Sequence, residues 1–577
     1  MSEESRSRSP NNILWFVFIL TMGVFPFLVM GPSGKLLENL FLRSFLFIVI
    51  TGLGTLLLKY LKPDRNWVES YLMVMLVYGA GYRIATYLQD ISTYPLTLDW
   101  SEASRYYYAS LFFSKSIYGI TVPPSVLHPT RYLMQAVPFL IPSLPLWFHR
   151  FWQVLLWIVF TAGTALLLTR RLFIQDKFRK YLFLLWAYLF LLQGPVYYHL
   201  LLMVILVLWG YNRKRPWRTL LIVAIASIWA GLSRINWAPV PGMLASALYF
   251  FEVGVNKKPF WRYLLWPAVW SIIGTGLAAV SQSVYIHWSG NPVAYFGSSF
   301  TSNLLWYRLF PSPTYLLGVL PAVVLVSLPL LVVIFSQLSI QWKQWHILRL
   351  LGLGAILFIL FAGGVVVSTK IGGGSNLHNL DAYLVLFLVI GSFIYFGNFE
   401  PEQEANSQPL RWTWLFASLA VIVPVGFAIT TGKQLSYPDK AQAEAGIVKI
   451  KEMVSQVVKN QGEVLFVTER QLLTFHTIDA PLVPDYERVF LMEMAMSNNT
   501  AYLDAFYNDL RSHRFALIVI HPQRINYQGA SHQFGEENDA WVKRVTEPLL
   551  CSYKPILKLP EIRVELYVPR SGGEKCP

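Results

Sequence analysis

The chain has 577 residues, of which 55% are hydrophobic, 16% aromatic and only 14% charged, with a net charge of +15. This composition excludes an ordinary soluble domain and points to a polytopic membrane protein. The positive charge does not imply a nucleic-acid partner, because the basic residues gather in short loops between apolar runs, where orientation in a bilayer accounts for them.

Apolar runs long enough to cross a hydrocarbon core of about 30 Å recur from residue 11 to about residue 430. The first, NILWFVFILTMGVFPFLVM, follows Arg6 and Arg8 but is long and has no small-residue cleavage site, so it reads as a retained helix. The runs at 11–31, 40–61, 68–88, 147–169, 181–193, 195–211, 219–233, 236–251, 262–288, 314–337, 347–367, 379–397 and 411–430 predict about thirteen transmembrane helices. With the N-terminus inside, the loops KYLKPDR, RRLFIQDKFRK, YNRKRPWR and NKKPFWR all fall on the inner face and all are basic, as the positive-inside rule requires. An odd number of spans then places everything after Thr430 outside.

There the composition changes. DKAQAEAGIVKIKEMVSQVVKN reads as an amphipathic helix, EVLFVTE and FALIVIHP as buried strands, AYLDAFYNDLRSH as a helix between them and EIRVELYV as a last strand. The fold class expected is a polytopic helical membrane protein with an outer α/β domain at the C-terminus. Three parts follow: residues 1–66 with two extra spans, 67–431 as the main membrane module with a first outer loop at 89–146, and 432–577 as the α/β domain. Cys551 and Cys576, both in the tail, suit one disulfide if that tail faces an oxidising compartment.

The first outer loop is long and rich in Tyr, Phe and Pro. A helix is expected from Ser101 to Ile117, with Tyr106, Phe113 and Ile117 resting on the lipid interface. Asp99 followed three residues later by Glu102 has the spacing of a capping box that opens that helix. A loop carboxylate beside the bilayer also suits a general base, and both roles are compatible because a cap fixes a side chain in position.

Three further outer segments carry polar groups. VLHPTRYLMQAVPFLIP supplies His128 and Arg131, as interfacial anchors or as phosphate ligands. GLSRINWAPVPGM supplies Arg234 and Asn236. VVVSTKIGGGSNLHNLDAYLVLFLVIG groups Lys370, Asn376, His378, Asn379 and Asp381 around three glycines, a backbone able to approach a ligand closely, with Ser375 or Asn376 as the cap of the next helix. His378 and Asp381 have helical i, i+3 spacing, a lesser alternative as metal ligands. Arg308, in the aromatic segment 287–313, is a further phosphate candidate.

The order of these features resembles the C-type glycosyltransferase superfamily, which includes the protein O-mannosyltransferases and the aminoarabinose transferases. RIATYLQDISTYPLTLDWSEASRYYYASLFFSKSIYG followed by HPTRYLMQAVPFLIP is similar to that superfamily's first outer loop: an acidic residue, a surface helix and a Pro-rich re-entry. Two spans precede the one that leads into the acidic loop, and the acidic pair is spelled DWSE, both departures from the usual pattern.

The resemblance implies an inverting transfer of a sugar from a polyprenyl-phosphate donor to a hydroxyl on an acceptor glycan, lipid or protein, at the outer face of a bacterial cytoplasmic membrane. It implies Asp99 as base and Glu102 as its orienting partner, an acceptor ligand or a cation ligand. His128, Arg131, Arg234, Lys370, Asn376 and His378 would then hold donor phosphate or sugar. No cofactor is required, and a divalent cation is compatible. A transporter or lipid-linked sugar flippase, and an O-antigen polymerase or ligase, are the alternatives.

Overall fold

The computed structural model describes residues 8–255, 259–374, 376–402, 413–571 and 576. Arg6, Ser375, Lys257 and Lys258 lie outside them.

Among the described residues, each of the thirteen apolar runs contains a helix. Asn39, Asn66, Asp176 and His346 accept backbone N–H groups at the starts of Leu40–Leu61, Trp67–Leu88, Lys177–Phe190 and Ile347–Thr369, which satisfies donors that a helix start leaves open. Seven helices are long and apolar enough to cross a membrane: Asn12–Met30, Leu40–Leu61, Leu146–Arg171, Phe260–Trp288, Val319–Ile340, Ile347–Thr369 and Leu377–Tyr395. Tyr198–Gly210, Pro216–Gly231 and Leu415–Thr430 are apolar but shorter. Seven of the thirteen expected spans thus meet this criterion of length and composition among the described residues.

Phe27, Phe41, Ile272 and Leu316 stand exposed on the outside of the bundle, an arrangement suited to lipid rather than water. Helix Asp381–Tyr395 is the opposite case, buried on every side up to Ile394. The short helix Tyr198–Gly210 packs beside the same core. These are multi-pass membrane features.

The two ends of the bundle differ. At one end the basic loops are tied by ion pairs, Arg65 to Asp176 at 2.5 Å, Arg179 to Glu69 at 2.7 Å and Arg171 to Glu252 at 3.1 Å. The other end carries the α/β domain. Its sheet has the order β1-β2-β4-β3, with β1 Glu463–Phe466, β2 Phe515–Ile520, β3 Tyr553–Leu559 and β4 Val564–Pro569. β1 and β2 are parallel, joined by a crossover through helices Arg488–Ser497 and Thr500–Arg511, whereas β4 runs antiparallel to both β2 and β3. Cys551 and Cys576 form a disulfide with Cα atoms 4.4 Å apart.

The first loop does not lie on a lipid surface. Tyr94, Leu96, Tyr107, Tyr108 and Leu111 share one hydrophobic core with Ile447, Ile450, Leu472 and Leu566 of the domain. Tyr106, expected at the interface, is buried against His149 and Phe475. The loop is a layer clamped between bundle and domain, because its tyrosines have both apolar surface to bury and hydroxyls that find partners: Tyr108 donates to Glu487 at 2.8 Å and Tyr107 to the Pro484 carbonyl at 3.2 Å.

Candidate functional site

Asp99 and Glu102 open the loop helix Glu102–Ser110 but do not form a capping box. The Asp99 carboxylate accepts from the Ser101 N–H at 2.8 Å and from Arg105 at 2.5 Å, with the side chain still 53% exposed. Burial works to raise its pKa, and the Arg105 guanidinium with the Ser101 donors overcomes this and holds the carboxyl below its ordinary value.

Glu102 is committed elsewhere. Its carboxylate receives Arg150 Nε at 2.7 Å, the Leu98 N–H at 2.6 Å and the Tyr106 hydroxyl at 3.2 Å, and only 4% of the residue is exposed. Arg150 in turn donates to the carbonyls of Ser92, Tyr94 and Leu96. Glu102 and Arg150 thus fix the path of the strand-like segment before Asp99. Glu102→Gln leaves a buried guanidinium without its anion, at a cost of about 3–5 kcal/mol, whereas Glu102→Leu with Arg150→Leu should cost less than either single change. Thermal unfolding of the purified variants checks the order.

Asp90, just beyond helix Trp67–Leu88, was not singled out from sequence. Its carboxylate has no hydrogen-bond partner among the described residues. Loss of surrounding water, then repulsion from Asp99, pushes its pKa up to about 6.

Behind this acidic mouth lies a cationic crevice centred on Tyr197. Around its ring stand the Arg131 guanidinium at 4.8 Å, the Arg234 guanidinium and the His199 ring at 5.7 Å, and the His378 ring at 6.4 Å. His128 is 6.4 Å from His199 and bonds the Ser233 carbonyl through Nδ1 at 2.7 Å. A carbonyl only accepts, so Nδ1 carries the proton and Nε2 keeps a lone pair. Burial and then Arg234 push the His128 pKa down to about 3, so the ring is neutral. Its backbone is left-handed at φ 49°, a conformation rare outside glycine. Helices Tyr198–Gly210 and Asp381–Tyr395 both begin here, which directs the positive ends of their dipoles at the crevice.

The cations differ in how they are balanced. Arg234 pairs with Asp381 at 3.2 Å, and Asp381 also accepts from Trp237 Nε1 at 2.8 Å. Lys370 pairs with Glu493 of the domain at 2.7 Å. Arg131 contacts no carboxylate among the described residues, and its Nε has no partner. His199, 1% exposed, has both ring nitrogens unpartnered, and Asn236 Nδ2 is likewise free. Unpaired polar groups in so buried a place are costly unless a ligand meets them.

Three segments distant in sequence thus come together in Arg131, Arg234 and His378, with His128 beside them. Lys370 and Asn376 are used structurally, Lys370 as an anchor of the domain and Asn376 as the cap whose Oδ1 accepts the His378 N–H at 2.9 Å. The three glycines serve their own turn, with Gly372 and Gly374 at φ 77° and 75° and the Gly372 N–H donating to Glu537 at 2.9 Å. Arg308 is a latch, buried between Glu536 and Glu537 of the domain at 2.7 and 2.6 Å. Among the described residues no group of three or more His, Cys, Asp or Glu side chains is placed to hold a metal. Compared with known proteins, the chain matches no family model and no curated protein.

Proposed function

We propose that the protein is a membrane glycosyltransferase that moves a sugar from a polyprenyl-phosphate donor to an acceptor hydroxyl, with inversion. The observation that carries this reading is the Tyr197-centred crevice: one guanidinium with no carboxylate in contact among the described residues, a neutral His128 imidazole and two helix starts, with Arg105, the partner of Asp99, within electrostatic reach of Arg131. An apolar bundle suits a prenyl chain, and the crevice suits the phosphate at its head. The reading includes thirteen membrane passes arranged as in C-type glycosyltransferases, the basic loops inside and the α/β domain outside, in a bacterial cytoplasmic membrane.

Chemically, the acceptor oxygen attacks the anomeric carbon as its proton passes to a carboxylate. The bond from that carbon to the phosphate oxygen breaks, and the electron pair leaves on the polyprenyl phosphate, whose charge Arg131 and Arg234 stabilise. Asp99 takes the proton. At rest it is neutralised by Arg105, and a donor phosphate that draws Arg105 toward Arg131 releases it as an ionised base. Glu102, through Arg150, holds the loop that carries it. No step needs a cation, and a divalent ion beside the phosphate would add to the same stabilisation.

A pH–rate profile tests the choice of base. A carboxyl below the ordinary Asp range is ionised throughout pH 5 to 8, so with Asp99 as base kcat/KM stays flat across that window. If Asp90 were the base, its pKa of about 6 would leave most of it protonated at pH 5, and the rate there would fall about tenfold from its value at pH 8.

A further inference from the structure

The parallel strands β1 and β2 end beside the first loop. Immediately after β1, the Val467 carbonyl accepts the Arg488 N–H at 3.0 Å, and Glu469 holds Thr97 through its N–H at 3.2 Å and its hydroxyl at 2.7 Å. Openings at the carboxyl ends of parallel strands are where α/β sheets place ligands. Here three buried polar atoms, Arg488 Nε, Thr468 Oγ1 and His521 Nδ1, have no partner among the described residues.

Arg488 is 7% exposed and its Nε has no partner. It touches no carboxylate among the described residues. Its neighbours are already engaged, Glu469 by Thr97 and Gln471, and Glu487 by Ser104, Tyr108 and the Val489 N–H. Thr468, 2% exposed, has an unpartnered hydroxyl, and His521 after β2, within electrostatic reach of Arg488, has an unpartnered Nδ1. The Arg488 guanidinium lies 5.0 Å from the ring of Trp100 and donates to the Trp100 carbonyl. Trp100 itself is 48% exposed and directly follows Asp99 in the chain.

Glu469, Glu487 and Asp99 pull on the Arg488 guanidinium, yet none touches it and burial outweighs them. An anion in direct contact with its unpartnered Nε is therefore favoured, and a half-exposed indole suits a pyranose ring. We infer that this crevice is a saccharide site, in which a sugar ring stacks on Trp100 and its carboxylate or phosphate group sits on Arg488 and the Thr468 hydroxyl. A ring in that place presents its hydroxyls to Asp99. That this saccharide is the acceptor rests on the transferase reading; that an anionic sugar binds here does not.

The test is donor-free binding to the purified full-length protein, followed by saturation-transfer NMR with glucuronic acid, glucose 6-phosphate and glucose. At least one anionic sugar should bind about tenfold or more tightly than glucose, and the stronger of the two names the acidic group. Binding should weaken about tenfold in Arg488→Gln and in Trp100→Ala, and remain unchanged in Arg131→Gln. Trp100→Ala keeps the backbone carbonyl that Arg488 uses and alters an exposed side chain, so it separates lost binding from lost folding. The inference is overturned if neither anionic sugar binds, if binding survives both variants, or if it disappears only in Arg131→Gln. Binding with no transfer would sink the transferase reading alone, and transfer with no such binding would sink this site alone.

Discussion

Asp99→Asn should lower kcat/KM for sugar transfer by about 10²- to 10⁴-fold, the usual worth of a positioned general base. The amide keeps the shape and still accepts the Ser101 N–H, but it cannot take a proton. Folding should be weakened only in part: Asp99 is 53% exposed, but Arg105, left without its anion, is 11% exposed, a situation in which losing the partner charge is costly, while the amide oxygen at position 99 can still accept from it. Donor binding should persist or tighten, since Arg105 is then free of its intramolecular competitor. A kcat loss without a rise in donor KM, measured below the unfolding transition of the variant, is the expected signature. A fully active Asp99→Asn enzyme would move the base to Asp90.

Arg131→Gln is the second large effect. Arg131 is the guanidinium of the crevice with no carboxylate in contact among the described residues, so its charge is more fully available to a phosphate than that of Arg234, which Asp381 balances in part. Removing it should raise the donor KM and lower kcat together, about 10²-fold in kcat/KM, because negative charge on the leaving phosphate grows in the transition state. Arg131→Lys should recover only part, as an ammonium keeps the charge but not the planar fork. Arg234→Gln should behave differently. It strands Asp381, which is buried at the core of the bundle, and so should destabilise the protein as well as slow it. Donor titrations at fixed acceptor, with unfolding measured alongside, separate the two.

Much of the crevice could be anticipated because charge is conspicuous in an apolar chain. Arg131, Arg234 and His378 stood out against low-charge loops, and three separate loops at one end of a bundle have few places to put such groups. Arg150 and His199 were hidden for the converse reason. They lie within helices Leu146–Arg171 and Tyr198–Gly210, and apolar periodicity says nothing of which polar residue on a helix meets a partner 48 positions away. The same gap produced the double reading of Glu102, whose spacing from Asp99 suggests a cap and whose actual partner is tertiary.

In the domain, EVLFVTE and FALIVIHP were legible as strands because they are continuous apolar runs. YKPILKL was not, since Pro555 and two lysines mark an edge strand, paired only with β4. The helical character of 101–117 is legible in the sequence, although the segment is divided into Glu102–Ser110, a tighter turn and Ser114–Tyr118. The surface it covers is not. Tyr-rich segments suit a membrane interface and a protein interface equally, and only the domain, folding back through Glu469, Glu487 and Ile447, decides between them.

The most direct measurement is to supply proteoliposomes of the wild-type protein with polyprenyl-phosphate sugars labelled in the sugar, together with hydroxyl acceptors, and to follow both covalent transfer and movement of label across the bilayer. Transfer of label to an acceptor with inversion at the anomeric carbon, lost in Asp99→Asn, is the result predicted. Movement of the intact labelled lipid across the bilayer with no transfer, equal in wild type and Asp99→Asn, would contradict it and make the protein a transporter.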